Sequence, residues 1–167
     1  MSEQPTEPSW PSALVVSGAG TREANGIYKV TSRTYTDAPV YEHIEQPKDL
    51  KITREPHVSQ KTGKVKHGWL IGLRSTPLYG APTESLEVPS SGWKSFSGAL
   101  PLPSVQSFTD LDEMFLKHAE EYKALGDAAA EKQQWQDAEK HFSVAVNHMK
   151  KLQDQKSEEY FSRAAVL

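Results

Sequence analysis

All eleven prolines and nine of the ten glycines lie before residue 104, and the remaining glycine is Gly126. Proline removes a backbone donor, and glycine costs about 1 kcal/mol in a helix interior relative to alanine. Long helices are therefore permitted only in the C-terminal part. The N-terminal part has to be assembled from short segments separated by turns. The chain reads as a tail over 1–12, a small all-β module over 13–106 and a helical domain over 107–167. The boundary falls at "GALPLPSVQSFTD", where Pro101 and Pro103 disfavour continued regular structure. Charge divides at the same place. Residues 1–106 carry 11 Lys/Arg against 10 Asp/Glu, and residues 107–167 carry 8 against 12.

The first part is β-rich. "ALVV", "GIYKVT", "PVYEHI", "DLKIT", "GWLIGL" and "GWKSF" are each bounded by turn residues. Asn25-Gly26 fits a tight turn, and Thr62-Gly63 is placed to turn the longest hairpin, between Ile52 and Trp69. "SGAG", "YGAP" and "SSG" supply further punctuation. Strands this short fit a small antiparallel meander or a partly closed barrel.

The second part has helical period. Thr109 and Asp112 form a capping-box-like start. Leu111, Phe115, Ala119, Tyr122, Leu125 and Ala129 recur at spacings of three and four. A second helix from about Gln136 places Ala138, Phe142, Ala145, Met149 and Leu152 on one face, after a turn at "EKQQ". "SEEYFSRAAVL" starts at Ser157 with a good cap and is expected to form a third helix. The fold class is α+β: an antiparallel β meander or barrel, then an antiparallel helical hairpin plus that third helix.

Composition excludes several classes. There are no cysteines, so disulfides and thiolate metal sites are ruled out. The formal net charge of −3 gives no general reason to expect nucleic acid. No apolar run approaches the ~20 residues of a membrane span. The start, "MSEQPTEPSWPS", lacks the basic and apolar regions of a secretory signal. Cytoplasm is the expected compartment.

The stretch Tyr122–Ala145 resembles a tetratricopeptide repeat, a helical hairpin of roughly 34 residues. Tyr122 falls on its first aromatic position, Leu125-Gly126 on its Leu-Gly pair and Trp135 on the aromatic at the turn. Ala138, Phe142 and Ala145 fall on its later small, aromatic and small positions. Ala129 stands where a larger residue is commoner. Small residues at Gly126 and Ala138 would let two helix backbones approach, and Trp135 would cover the end of the hairpin core. "EEYFSRAAVL" resembles the first helix of a following repeat. A three-helix bundle of the microtubule-interacting-and-trafficking type is the nearest competitor.

The resemblance implies a groove that binds a protein partner or peptide segment. Tyr122, Lys123, Trp135, His141 and Arg163 are the candidate contacts. It argues against the variant that clamps chaperone C-termini. Leu125, Asp127 and Ser162 replace the lysine and asparagines of that clamp, and Asp127 would repel a carboxylate. The β part, over about Leu14–Val105, resembles a module of about ninety residues. That module recurs in multidomain proteins of single-celled eukaryotes and has no assigned activity. "VVSGAGTREANGIYKV", "LYGAP" and "VPSSGWKSFSGALPLPSV" carry the likeness.

No catalytic constellation assembles. Gly18, Gly20 and Gly26 fit neither a dinucleotide fingerprint nor a P-loop. Ser17 in "VSGAG" lacks the first glycine of a nucleophile elbow. His141 and His148 lie two helical turns apart, about 10.5 Å along the axis, too far for one metal without a third element. No enzyme activity, cofactor or metal is expected.

Two function classes remain. The first is a scaffold or adaptor that uses the helical groove. An uncovered apolar face there would take a partner or a second copy. The second is a β module that recognises carbohydrate or nucleotide, with Trp69, Trp93, Tyr79, Lys64 and Lys66 as contacts. Large aromatics, Tyr28 and Tyr41 among them, equally serve to fill the core of so small a unit. The basic tip "KTGKVKH" equally serves as a solvated turn that discourages edge pairing.

Overall fold

A computed structural model describes residues 9–164, with side chains other than those of residues 155 and 157–164. The chain divides into two compact units, Met1–Thr109 and Asp110–Leu167.

The first unit is one antiparallel sheet of eight strands. They are β1 (Ala13–Ser17), β2 (Gly26–Tyr35), β3 (Ala38–His43), β4 (Leu50–Val58), β5 (Val65–Leu73), β6 (Thr76–Pro82), β7 (Lys94–Ser95) and β8 (Ser104–Phe108). The order is β7-β6-β5-β4-β3-β2-β1-β8. Seven strands form a meander, and the eighth returns to pair with the first. The sheet curls into a half-barrel.

Strand period fixes which side chains face inward. The register aligns Leu14 with Tyr28, Val30 with Tyr41, Tyr41 with Ile52, Ile52 with Ile71 and Ile71 with Tyr79. These residues, with Trp69, Trp93 and Val105, form the core. Fully burying a large apolar side chain contributes about 1.5–3 kcal/mol, so this inner face is the main source of stability.

The segment between β7 and β8 joins the two ends of the sheet. The Phe96 and Gly98 N–H groups donate to the Leu78 carbonyl at 2.9 and 3.0 Å. Ala99 N–H donates to Thr21 Oγ1 at 2.8 Å, and Gly20 N–H to the Pro101 carbonyl at 2.9 Å. A Cβ at position 20 would lie 2.0 Å from the Leu100 oxygen, so only glycine admits this approach. The Tyr79 hydroxyl sits between both partners. It accepts from Thr21 N–H at 3.0 Å and donates to the Ala99 carbonyl at 2.5 Å.

Several expectations need correction in this unit. β6 and β8 lie in segments read as punctuation and linker. Residues Ser107 and Phe108 belong to β8 and pair with β1, so the expected boundary at 106/107 cuts a strand. Asn25-Gly26 is not a two-residue hairpin turn. The β1–β2 connection contains a short 3-10 helix, Arg22–Ala24, and the Asn25 side chain bonds both the N–H and the carbonyl of Ala19 at 2.9 Å. The β4–β5 hairpin turns at Gly63, φ 63°, as Thr62-Gly63 requires.

The second unit is a hairpin of α1 (Leu111–Glu131) and α2 (Trp135–Ala164). Asp110 caps α1, its carboxylate accepting the Asp112 N–H at 2.8 Å and the Glu113 N–H at 3.5 Å. The cap thus lies one residue after the expected Thr109, whose carbonyl instead accepts the Ser12 hydroxyl at 2.6 Å. Gln133 adopts φ 58°, and Gln133 and Gln134 return hydrogen bonds to Ala130 and Ala129. That reverses the chain within three residues. Where the helices pack, Gly126 is buried and a Cβ on it would lie 2.6 Å from the Phe142 ring. Gly126 is therefore a packing device that gives Phe142 its place.

No third helix forms among the described residues. α2 runs thirty residues without a break through Ser157. Nothing between Leu152 and Ala164 is a proline or glycine, and Gln, Lys and Glu there sustain a helix. A serine able to cap does not by itself interrupt a helix. Among the described residues no helix is long and apolar enough to cross a membrane.

Candidate functional site

Two packed helices bury one stripe each and leave the flanks of those stripes open. On one flank the hairpin forms a groove of about 1140 Å³. Its floor is apolar, and Leu116, Val146 and Met149 are 45%, 52% and 46% exposed. Lys123, Lys150 and Lys156 stand on its rim with Glu120. A second depression of about 590 Å³ shares Phe142, Val146 and Lys150 with the groove and reaches Trp135 and Glu139. Exposed apolar side chains on a continuous concave strip are the chemistry of a protein-docking surface.

The opposite flank carries a ladder of rings. His118 stacks on His148 with centroids 5.5 Å apart, and Tyr122 stacks on His148 at 5.9 Å. Tyr122 also meets His141 at 6.1 Å, and Phe115 meets His148 at 6.1 Å. Burial pulls His118 below the usual imidazole range and outweighs the Glu121 carboxylate 3.6 Å away, which acts in the other direction. His148 is lowered by burial first, then by His118 and Lys151. Among the described residues no three His, Cys, Asp or Glu side chains cluster as metal ligands.

The expected partner contacts separate. Lys123 lines the groove, and Trp135 lines the adjoining depression. Tyr122 and His141 belong to the ring ladder on the other flank. The side chain of Arg163 lies outside the described residues. Trp135 is 66% exposed, so it does not cover the hairpin core as expected. Leu125 and Met149, expected inside, are half exposed, and Gly126 takes the buried place beside Leu125. Sequence reasoning missed Val146, Lys150 and Lys156 as groove residues, and it missed the pairing of His118 with His148.

Lys123 donates to Asp127 one turn away at 2.8 Å, which raises its pKa.

The β-module contacts fare differently. Trp69, Trp93 and Tyr79 are 0%, 2% and 0% exposed, and Tyr28 and Tyr41 are equally buried. Trp69 and Trp93 spend their indole N–H groups on the carbonyls of Ser85 and Pro89, at 3.3 and 3.1 Å. None of these rings offers a face to a sugar or base. Lys64 and Lys66 are exposed near the tip of the β4–β5 ribbon, five and three residues before the buried Trp69.

The polar groups inside the sheet are also occupied. The Arg54 guanidinium, 5% exposed, donates to the carbonyls of Thr36, Glu84 and Ser85 at 3.0, 3.0 and 3.3 Å. His43 meets the Asn25 carbonyl through Nε2 at 3.1 Å, while Nδ1 accepts the N–H groups of Glu45 and Gln46. That pattern requires the neutral tautomer with the proton on Nε2. Both side chains are structural ties. Comparison with protein families, curated proteins and solved structures gives no match.

Proposed function

We propose that this chain is a non-catalytic cytoplasmic scaffold or adaptor that docks a helical segment of a partner protein in the groove between α1 and α2. The observation that carries the reading is the groove itself, with Leu116, Val146 and Met149 half exposed along a strip bounded by two helices. A third helix laid there would complete a three-helix layer and remove those side chains from water.

The tetratricopeptide-like placement of Tyr122, Gly126, Ala138, Phe142 and Ala145 supports the same reading, because such hairpins present a flank to a neighbouring helix. The likeness stops at about residue 145. α2 runs on where a following repeat would start a new helix. The β unit, with its aromatics buried, is read as a rigid carrier.

The test is affinity capture with the full chain and with Met149→Asp, which places a charge on the groove floor. A partner retained by the first and lost by the second supports docking in the groove. A partner retained equally by both places the interaction elsewhere and overturns the reading.

A further inference from the structure

We infer that the groove selects an acidic amphipathic helix, with its carboxylates set over Lys123, Lys150 and Lys156. This rests on the docking reading above and specifies the partner's chemistry.

The argument is the distribution of charge. Among the described side chains of the helical unit there are seven lysines and ten carboxylates. Three of the seven lysines line the groove, against one of the ten carboxylates, Glu120. A unit that is acidic overall thus sets three of its lysines around an exposed apolar groove. Lys123 and Lys156 are each held by a carboxylate, Asp127 at 2.8 Å and Asp112 at 3.9 Å, and neither of those two lines the groove. Lys150 has no carboxylate within ion-pair distance among the described residues, and it stands where the groove and the second depression meet.

The strip has a direction. At one end lie Leu116 and Lys156, at the other Trp135 and Glu139, with Lys150 between them. Trp135 and Lys156 are 21 residues apart on one helix, about 32 Å. That length accepts about six turns of partner helix. Apolar residues at i, i+3, i+4 and i+7 would meet the floor, and carboxylates beside them would face Lys123, Lys150 and Lys156. A basic helix would set like charges against the rim, so the lysines exclude partners as well as attract them. A second copy of the hairpin is less suited, since its own open flank carries the same lysines.

The experiment titrates the full chain with three synthetic helical peptides of about 18 residues, a length that covers most of the strip. They share one leucine stripe and differ in flanking residues: Glu, Gln or Lys. Emission from Trp135, the exposed indole of the strip, reports binding. The Glu peptide is expected to bind about tenfold tighter than the Gln peptide at low salt, with the gap closing at high salt. Lys150→Glu combined with Lys156→Glu is expected to reverse the order of the Glu and Lys peptides, with the fold unchanged by circular dichroism.

Equal binding of the Glu and Gln peptides, abolished for both by Met149→Asp, would overturn the acidic preference and leave docking intact. Preference for the Lys peptide would overturn it too. Absence of binding by all three would overturn the docking reading itself. A concentration-dependent dimer in sedimentation, dispersed by Met149→Asp, would show that the occupant is a second copy.

Discussion

The two units treat their large apolar residues in opposite ways. The β unit hides Trp69, Tyr28, Tyr41 and Tyr79 almost completely, and gives the polar tips of Trp69, Tyr28 and Tyr79 a backbone partner. Burial raises the Tyr28 hydroxyl far above its ordinary pKa, and Tyr41 is pushed up to about 12. The helical unit leaves Trp135, Val146, Met149 and Leu116 about half exposed or more. A half-barrel can close its core upon itself. Two helices cannot, because each pair leaves two flanks. The β unit therefore carries its stability in a closed core, whereas the helical unit leaves open the apolar flank proposed above as a docking surface.

The largest effect belongs to the β core. Trp69→Ala removes a fully buried side chain that packs beside Tyr41 at 6.4 Å and holds the Ser85 carbonyl. The expected loss is about 3–5 kcal/mol. Hydrogen exchange of β-sheet amides, compared with those of α1 and α2, measures it in the unit concerned. Loss confined to the helical amides would break the assignment of stability to this core.

Gly126→Val sharpens the comparison from the other side. A Cβ there meets the Phe142 ring at 2.6 to 2.9 Å, so the ring or the helix has to move. Overpacking of this kind costs about 1–3 kcal/mol, against the ~1 kcal/mol that a glycine forfeits in a helix interior. The helical unit should lose stability and the β amides should keep their protection. An increase in helical stability would mean that Phe142 has free space and that Gly126 is not a packing device.

These two residues also mark what the sequence made legible. Gly126 stood out because a lone glycine in good helix sequence needs a packing reason, and Phe142 supplies it. The strands seen in advance were those with apolar alternation. β6 escaped because Pro77, Gly80 and Pro82 read as turn chemistry. It bonds β7 through only two residue pairs, so prolines near its ends remove few ladder bonds. β8 escaped because Pro103 reads as the end of regular structure, yet it is the residue before a strand.

The apolar stripe of α2 was visible, yet which flank stays open depends on the hairpin register. Period alone does not give that register, so Lys150 and Lys156 carried no signal. The same holds for His118 and His148, thirty residues apart in sequence and 5.5 Å apart between rings.

The ring ladder gives a smaller, pH-dependent effect, because both imidazoles retain some solvent contact. His118 and His148 each have a folded-state pKa below the ordinary value near 6.5. The unfolded chain then binds more protons than the folded one just below that value, so folding becomes less favourable as protons are added. The helical unit keeps this contribution above 6.5 and loses it as pH falls from there toward the folded-state values. Lys117 and Lys151 act in the same direction as burial, and Glu121 opposes it at His118 without prevailing. Helical circular dichroism under mild denaturant should fall between about pH 7 and pH 5. His148→Gln should flatten that slope. An unchanged slope would mean that the ladder does not couple to protons.

The smallest stability effect is expected where the functional effect is largest. Met149→Gln replaces a side chain that is 46% exposed with a polar one of similar length and similar helix preference. Substitutions at such surface positions stay within about ±0.5 kcal/mol. The free chain should therefore unfold as before, while binding of the Glu-flanked peptide weakens, since the floor loses apolar contact in the middle of the groove. If Met149→Gln unfolded the hairpin as Trp69→Ala unfolds the sheet, the exposed strip would be part of a core, and the two units would not differ in the way their side chains are arranged. Unchanged stability with weakened binding would separate the two roles at a single residue.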